Sequence, residues 1–431
     1  MSTNVCAKGK RWFTAAAASF MALGLTAGAA RAGDKSLDGL LESLLRHNEN
    51  TKYTRVATIK IPSKVPGTSF SVFDISFVDP VLPLYYLADR SNASLDIVDT
   101  RTNTVIAQVG GFVGVRKDPE TDLVSTAVSG PDGVATVGPG EVWVGDGDST
   151  VKVVDVVSQK VTDTISTALD GESADKDKRA DEMFYDPRDH VMLVANNAAT
   201  PPYVTFISTL PNDHRVLGHI IYSDADGVEA SVYDPAKGLF YVNLTVVGKD
   251  STTGVITDAN AGAVSIVDPR QLKEVGRFPV TGCNGAGIDL APRGRLVIGC
   301  SLTNNSQIIS TNDGSLLGVF SQVAGSDQIW YNRGDGRVYL AGRNNPAAKG
   351  GPSLGVIDAL TNTFVTNIPT DASAHSVAAD ARTGNIFVPL GPIPTDPECT
   401  AGCIAVYNGR QNENPIERGF ERFISDLSAP Q

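Results

Sequence analysis

The sequence predicts an all-β chain on three observations. A strand–turn–strand unit opens at residue 181, where an apolar run ends at Asp186-Pro187 and a second run climbs back to Asn196-Asn197. Pro presets φ at such a turn and Asp bonds its own backbone. The unit recurs: residues 229–243 repeat it through Tyr233-Asp234-Pro235, and seven copies can be laid out. Each copy is followed by a third strand and usually a fourth, at a period of about 40–60 residues. Four strands per repeat at that spacing is the pattern of propeller blades, so the expected architecture is a seven-bladed β-propeller.

Taken in order, residues 1–32 read as a secretory signal peptide. Lys8, Lys10 and Arg11 precede an Ala-rich apolar stretch, and Ala30-Arg31-Ala32 is a small-x-small cleavage site. Cleavage there removes four cations and no acid, taking the formal charge from −12 to −16. So acidic a chain is a poor partner for nucleic acid or anionic lipid. The remainder has no apolar run long enough to span a bilayer. The expected location is periplasmic or secreted, and the expected state a monomer. Residues 33–52 form a leader whose Leu37, Leu40, Leu41, Leu44 and Leu45 fall on one helical face, with Ser36 as cap.

Residues 53–410 carry the repeats. Their inner strand pairs fall at 73–89, 133–146, 181–197, 229–243, 286–301, 327–343 and 375–390. Third strands often end in Asp, as at Asp99, Asp155 and Asp268. The seventh repeat has a third strand at 403–407 and no fourth, while 53–61 is an orphan strand at the other end. That N-terminal strand is expected to complete the last blade and close the ring, which removes exposed edges. Residues 411–431 are a polar tail. Four cysteines remain after the signal, an even number suited to an oxidising compartment. Cys283 and Cys300 flank the turn at Pro292-Arg293-Gly294, and Cys399 and Cys403 are close enough for a loop clip. Two disulfides are expected, with zinc or free thiols as the alternative.

The runs YYLADRSNASLDIVDTRTNTVIAQV from Tyr85 and VWVGDGDSTVKVVDVVSQKVTDTI from Val142 resemble YVTN-type β-propeller repeats of exported bacterial proteins. LFYVNL from Leu239 and SIVDPRQLKEVGRF from Ser265 are similar to them, and Tyr241-Val242-Asn243 is the nearest remnant of the naming tetrapeptide. The resemblance spans residues 53–410. It implies the propeller fold, and it covers binding, surface and accessory proteins as well as enzymes.

In a propeller the first strand of each blade lines the central channel. Its start shares a face with the loops joining strands two and three. Equivalent positions there are Asp74, Gly133, Asp181, Glu229, Ala286, Asp327 and His375, with Asp132 and Asn284 beside the two small ones. A carboxylate ring with one His suits a divalent metal ion: calcium or, with the His engaged, manganese, iron or zinc. Asp74, Asp181, Glu229, Asp327 and His375 are the candidate ligands. Asp181, Glu229, Asp327 and His375 are the candidate acid–base groups of a metal-dependent hydrolase, lactonase or lyase. The opposing reading is a solvated rim, since Asp, Asn and Gly are common before strands.

The loops after the second strands offer Arg90, Asn196, Asn243, Asn304, Arg343 and Asn344 as substrate-binding candidates. Arg90 and Arg343 could clamp a ligand carboxylate or pair with the ring acids. Long insertions at 196–202, 246–262, 344–352 and 391–403, with the connection 170–179, gather on the same face. The expected function is therefore binding of a small-molecule ligand or periplasmic protein at the channel mouth. Nucleotide-, haem- and serine-hydrolase motifs are absent.

Overall fold

The computed structural model describes residues 52–170, 178–250, 253–256, 258–343 and 352–409. The expected signal segment, the helix at 36–47, Asn344 and the tail from 411 lie outside these residues. Among the described residues the structure is all-β: seven four-stranded antiparallel sheets arranged as a seven-bladed propeller. No helix among them is long and apolar enough to cross a membrane.

The third blade shows why the repeat folds as it does. Its strands Met183–Asp186, Val191–Asn196, Tyr203–Ser208 and Val216–Ile221 pair in sequence order. At the first turn Asp186 Oδ1 accepts the N–H groups of Arg188 at 2.8 Å and Asp189 at 3.2 Å. Asp79 does the same for Val81 and Leu82 (2.8 and 2.7 Å), and Asp234 for Ala236 and Lys237 (2.9 and 3.2 Å). The Asp that ends a third strand is a second such device. Asp99, Asp268 and Asp358 accept the N–H groups of Arg101, Arg270 and Leu360 at 2.8, 2.9 and 2.9 Å. A short self-bonding side chain thus sets both hairpins of a blade.

The middle strands of this blade are buried along their whole length, while the fourth is only partly covered. Both faces of a blade's inner strands must therefore be covered by neighbouring blades. Seven apolar clusters do this, one per blade junction. Tyr86, Ile97 and Val109 of the first blade meet Val134, Val144 and Val154 of the second. Tyr339 and Leu354 of the sixth meet Val388 and Ala405 of the seventh. Phe73, Tyr85 and Leu87 of the first meet Phe387, Ile404 and Val406 of the last, so the core runs round without a break.

Closure uses the N-terminal strand, as expected. Thr54–Lys60 pairs antiparallel with Cys403–Asn408, from Thr54 opposite Asn408 to Lys60 opposite Cys403. That sheet continues through Ile386–Leu390 to Ala378–Ala379 at the axis. Arg55 pairs with Asp396, and Thr58 Oγ1 donates to Glu398 Oε2 at 2.9 Å. Both cysteine pairs stand at disulfide distance, with Cα separations of 5.0 Å for Cys283 and Cys300 and 5.2 Å for Cys399 and Cys403.

Ile59 is the closing strand's buried anchor, 3% exposed, whereas Val157 in a turn of the second blade is 88% exposed. Ile59→Ala should lower the free energy of unfolding by about 2–5 kcal/mol in a denaturant titration. Val157→Ala should change it by less than about 0.5 kcal/mol. Equal effects would mean that the N-terminal strand does not close the ring.

Candidate functional site

The starts of the first strands converge at one end of the axis. Asp74, Asp132 and Asp181, from three successive blades, bring carboxylate oxygens within 4.8 Å of one another. Asp181, Glu182 and Glu229 form a second such group that shares Asp181. Local backbone explains the placement. Gly133 occupies the equivalent position in the second blade because a Cβ there would stand 2.1 Å from the Asp181 carbonyl oxygen. The carboxylate is supplied one residue earlier, by Asp132. In the fourth blade the strand Val228–Asp234 loses register between Val228 and Ser231, a bulge that re-aims Glu229. The sixth blade shifts in the same way between Ser326 and Ile329, at Asp327.

Two guanidiniums lie among these acids. Arg90, 3% exposed, pairs with both Asp74 and Asp132, its Nε donating to Asp132 Oδ1 at 3.0 Å. Arg179 Nη2 stands 2.7 Å from Asp181 Oδ2, and its Nη1 lies 3.5 Å from Asp74 Oδ2 and 3.9 Å from Asp132 Oδ1. Its Nε donates to Asn197 Oδ1 at 3.0 Å, and Asn197 Nδ2 reaches Glu229 Oε2 at 3.3 Å. The Arg179 backbone is held by the loop after the first blade, its N–H bonding Ala127 O at 2.9 Å.

Five carboxylates therefore face two guanidiniums. Two acid oxygens, Asp132 Oδ2 and Glu182 Oε2, are buried without a hydrogen-bond partner among the described residues. Burial pushes the Asp181 carboxyl up to about 7, against the pull of Arg179, with Asp74 and Glu229 adding to the rise. Burial also drives Glu182 well above the usual range, and the neighbouring Asp181 and Glu229 charges raise it further. Glu229 is raised, again chiefly by burial. Asp74 differs. Burial would raise it, yet Arg90, His375 and Arg179 together hold it well below the ordinary carboxylate range.

His375 stacks on Phe73 with centroids 4.8 Å apart, and Phe73 in turn stacks on Phe70 at 4.9 Å. Its Nδ1 donates to Ser373 O at 2.6 Å, which leaves Nε2 facing Asp74 Oδ1 at 3.5 Å. Burial lowers its pKa, with Asp74 and the Ser373 carbonyl pulling the other way. Beneath these groups Gln328 of the sixth blade ties two others together. Its Nε2 donates to Ser76 O at 2.7 Å, and its Oε1 accepts from Ser376 Oγ at 2.6 Å and Val377 N at 3.0 Å.

The structure thus brings Asp74, Asp181 and Glu229 into one cluster, with His375 against Asp74. Asp327 is engaged by Arg343, which is 45% exposed at the rim. Arg90 and Arg343, candidate carboxylate clamps, both pair with ring acids. Asn196 is fully buried, donating to Thr167 Oγ1 and accepting from Thr205 Oγ1, each at 2.8 Å. Asn243 donates to Ala286 O at 2.7 Å and so joins the fourth blade to the fifth. Asn304 is exposed in its loop.

Arg179, Glu182 and Gln328 are central here and were not among the sequence candidates. Taking one residue per blade hid Glu182 behind Asp181. The insertion at 111–131, which carries Ala127, was also missed; its bridges pair Gly114 with Gly130 and Lys117 with Val124.

No family model matches the chain, and no curated protein matches it. Among solved structures it is similar to a chain in the crystal structure of the mitotic checkpoint complex. Identity is 13% and the TM-score 0.56, over 83% of this chain and 92% of that one. At that identity the likeness shows the fold alone, a β-propeller, and defines no activity.

The raised carboxyls predict a particular pH dependence. From about pH 4 to 7 the folded chain retains a proton on Asp181 that the unfolded chain releases, so this group's contribution makes stability fall as pH rises. In the presence of a chelator, Asp181→Asn should flatten the stability–pH curve over that window. The lost slope should be up to about 1.4 kcal/mol per pH unit, the value for one proton. Calorimetric unfolding of both proteins between pH 4 and 8 checks this. Parallel curves would refute it.

Proposed function

We propose that this is an exported binding propeller, akin to the YVTN-type repeat proteins, whose channel mouth holds a ligand through its acidic end. One observation carries the reading. Among the described residues Asp132 Oδ2 and Glu182 Oε2 are buried without a hydrogen-bond partner, inside a cluster with more carboxyl groups than cations. A buried acceptor left without a partner costs about 1–3 kcal/mol, and more for a charged group. A fold that keeps two such acceptors at the end of a channel suits a ligand that brings the donors or the positive charge. The insertion at 111–131 also reaches the mouth, where its Ala127 carbonyl holds the Arg179 backbone, and loops on a rigid scaffold are the usual place for ligand contacts. Export is supported by the signal-like leader and by two cysteine pairs at disulfide distance.

A second reading shares the site. Asp181, near 7, is able to exchange protons at neutral pH, as a hydrolase or lyase requires, and the His375 imidazole stands against the neighbouring Asp74. The acid–base candidates Asp181, Glu229, Asp327 and His375 belong to this reading, as does a catalytic metal. Binding is preferred because Asp327 is engaged by Arg343 and Asp74 by two arginines, which leaves few of the ring groups free to react.

A thermal-shift screen of metal ions, amines, guanidines and small acids should find compounds that raise the melting temperature of the wild type. Those shifts should vanish in Glu182→Gln and Glu229→Gln while persisting in Val157→Ser at the opposite face. Hits that survive both mouth substitutions would place binding elsewhere and defeat the reading.

A further inference from the structure

The two carboxylate groups at the mouth are not equivalent. In the first, Asp74 and Asp132 are both bound by Arg90, and Arg179 approaches all three members. A cation placed there would meet two guanidiniums. In the second, only Asp181 has a cationic partner, through Oδ2. Glu229 takes a neutral amide, from Asn197 at 3.3 Å, and a side-chain hydrogen bond with Glu182, with Arg179 acting on it at longer range. Glu182 is 7% exposed, and its Oε2 has no hydrogen-bond partner among the described residues. Three carboxylates, one guanidinium and one orphaned buried oxygen make a site short of positive charge.

We propose that Asp181, Glu182 and Glu229 hold one hard divalent cation of the calcium type. The inference rests on the binding reading above and names its ligand class. The donor set is oxygen only, with no thiolate or imidazole, which selects hard ions over zinc or copper. All three donor atoms lie within 4.8 Å of one another. That is close enough for one ion to take all three. Calcium tolerates irregular oxygen cages, whereas magnesium demands a near-ideal octahedron and keeps several waters, for which carboxylates this buried leave little access. Charge agrees. The three acids share one guanidinium, itself shared with Asp74 and Asp132, and a divalent ion would supply the positive charge the group lacks once its carboxyls ionise. The ligands come from the third and fourth blades, so the ion would bridge their junction. It would also supply a positive centre to which an oxygen-bearing ligand at the mouth can bind. His375 lies outside this set, as does Asp327.

The test begins with the full exported chain stripped by chelator and equilibrated at pH 8 with calcium, magnesium or manganese alone. Native mass spectrometry and calorimetric titration count the ions. The expected result is one calcium per chain, bound at least tenfold more tightly than magnesium. Glu182→Gln and Glu229→Gln should each weaken it by at least tenfold, and Val157→Ser should not. A folded wild type that takes up no ion at millimolar calcium overturns the proposal without recourse to any variant. Calcium uptake that survives in both Gln variants, each shown to be folded by circular dichroism, overturns the assignment to these residues. The organic arm of the thermal-shift screen separates the two failures. Organic ligands at the mouth with no ion would leave the binding reading standing and this proposal refuted, whereas neither ion nor ligand would remove both.

Discussion

The close approach of inner strands at the axis is the constraint on which the rest of this structure depends. Seven sheets shut into a ring only when their first strands come nearly backbone to backbone. Gly133 and Gly287 record that contact, since a Cβ at either would meet the carbonyl oxygen of Asp181 or Asp327 at 2.1 or 2.4 Å. Side chains cannot occupy that space, so polar groups are displaced to the ends of the strands. There they converge, whatever their sequence distance. Asp74 and Asp181 lie more than a hundred residues apart and share one arginine.

Convergence of acids has to be offset, because burying unpaired charge is costly. The fold meets this unevenly. Arg90 comes from the end of a second strand, and Arg179 from the connection leading into the third blade. Together they serve Asp74, Asp132 and Asp181, and they leave Glu182 and Glu229 facing each other. Asp74 and Asp181 show the outcome in opposite directions, one held low by its arginines and the other lifted towards neutrality by burial and its acidic neighbours. Losing Arg179 would leave Asp181 buried without a counterion, and losing Arg90 would leave Asp74 and Asp132 only the more distant Arg179, so these two side chains belong to the integrity of the ring as much as to its chemistry.

The two ends of the propeller use the same residue type differently. At the turn end, Asp79, Asp186 and Asp234 each spend Oδ1 on backbone N–H groups two and three residues ahead. Those acids are punctuation, each with one oxygen given to the local backbone. At the mouth, the acids stand at the start of a strand rather than its end, and their partners are side chains, some of them from other blades. An aspartate on this chain is therefore read by the direction in which its strand runs. Gln328 bonds to Ser76 and Ser376, so neutral side chains as well as ion pairs tie the first strands of different blades to one another.

Periodicity made the fold legible. The Asp-Pro turns are local chemistry, and the alternation of apolar runs with turn residues repeats often enough to count blades. Closure was legible as well, because a missing fourth strand at one end matched a spare strand at the other. The site was legible only as a set of positions. Asp74, Asp181, Glu229 and His375 follow from one offset applied to every blade, and the structure gathers them. That offset lands on Gly133 and finds Asp132 only as its neighbour, displaced by a backbone contact with another blade, and a one-residue-per-blade count excludes Glu182. It cannot see Arg179 either, because an arginine in a charged connection looks solvated until a loop from the preceding blade fixes its backbone. Asn196 and Asn243 mislead for the converse reason. Their loop positions suggest ligand contacts, yet each amide is used up by neighbouring Thr and backbone groups that only the packed blades supply. Local rules write the blades, and contacts between blades decide which polar groups remain unspent.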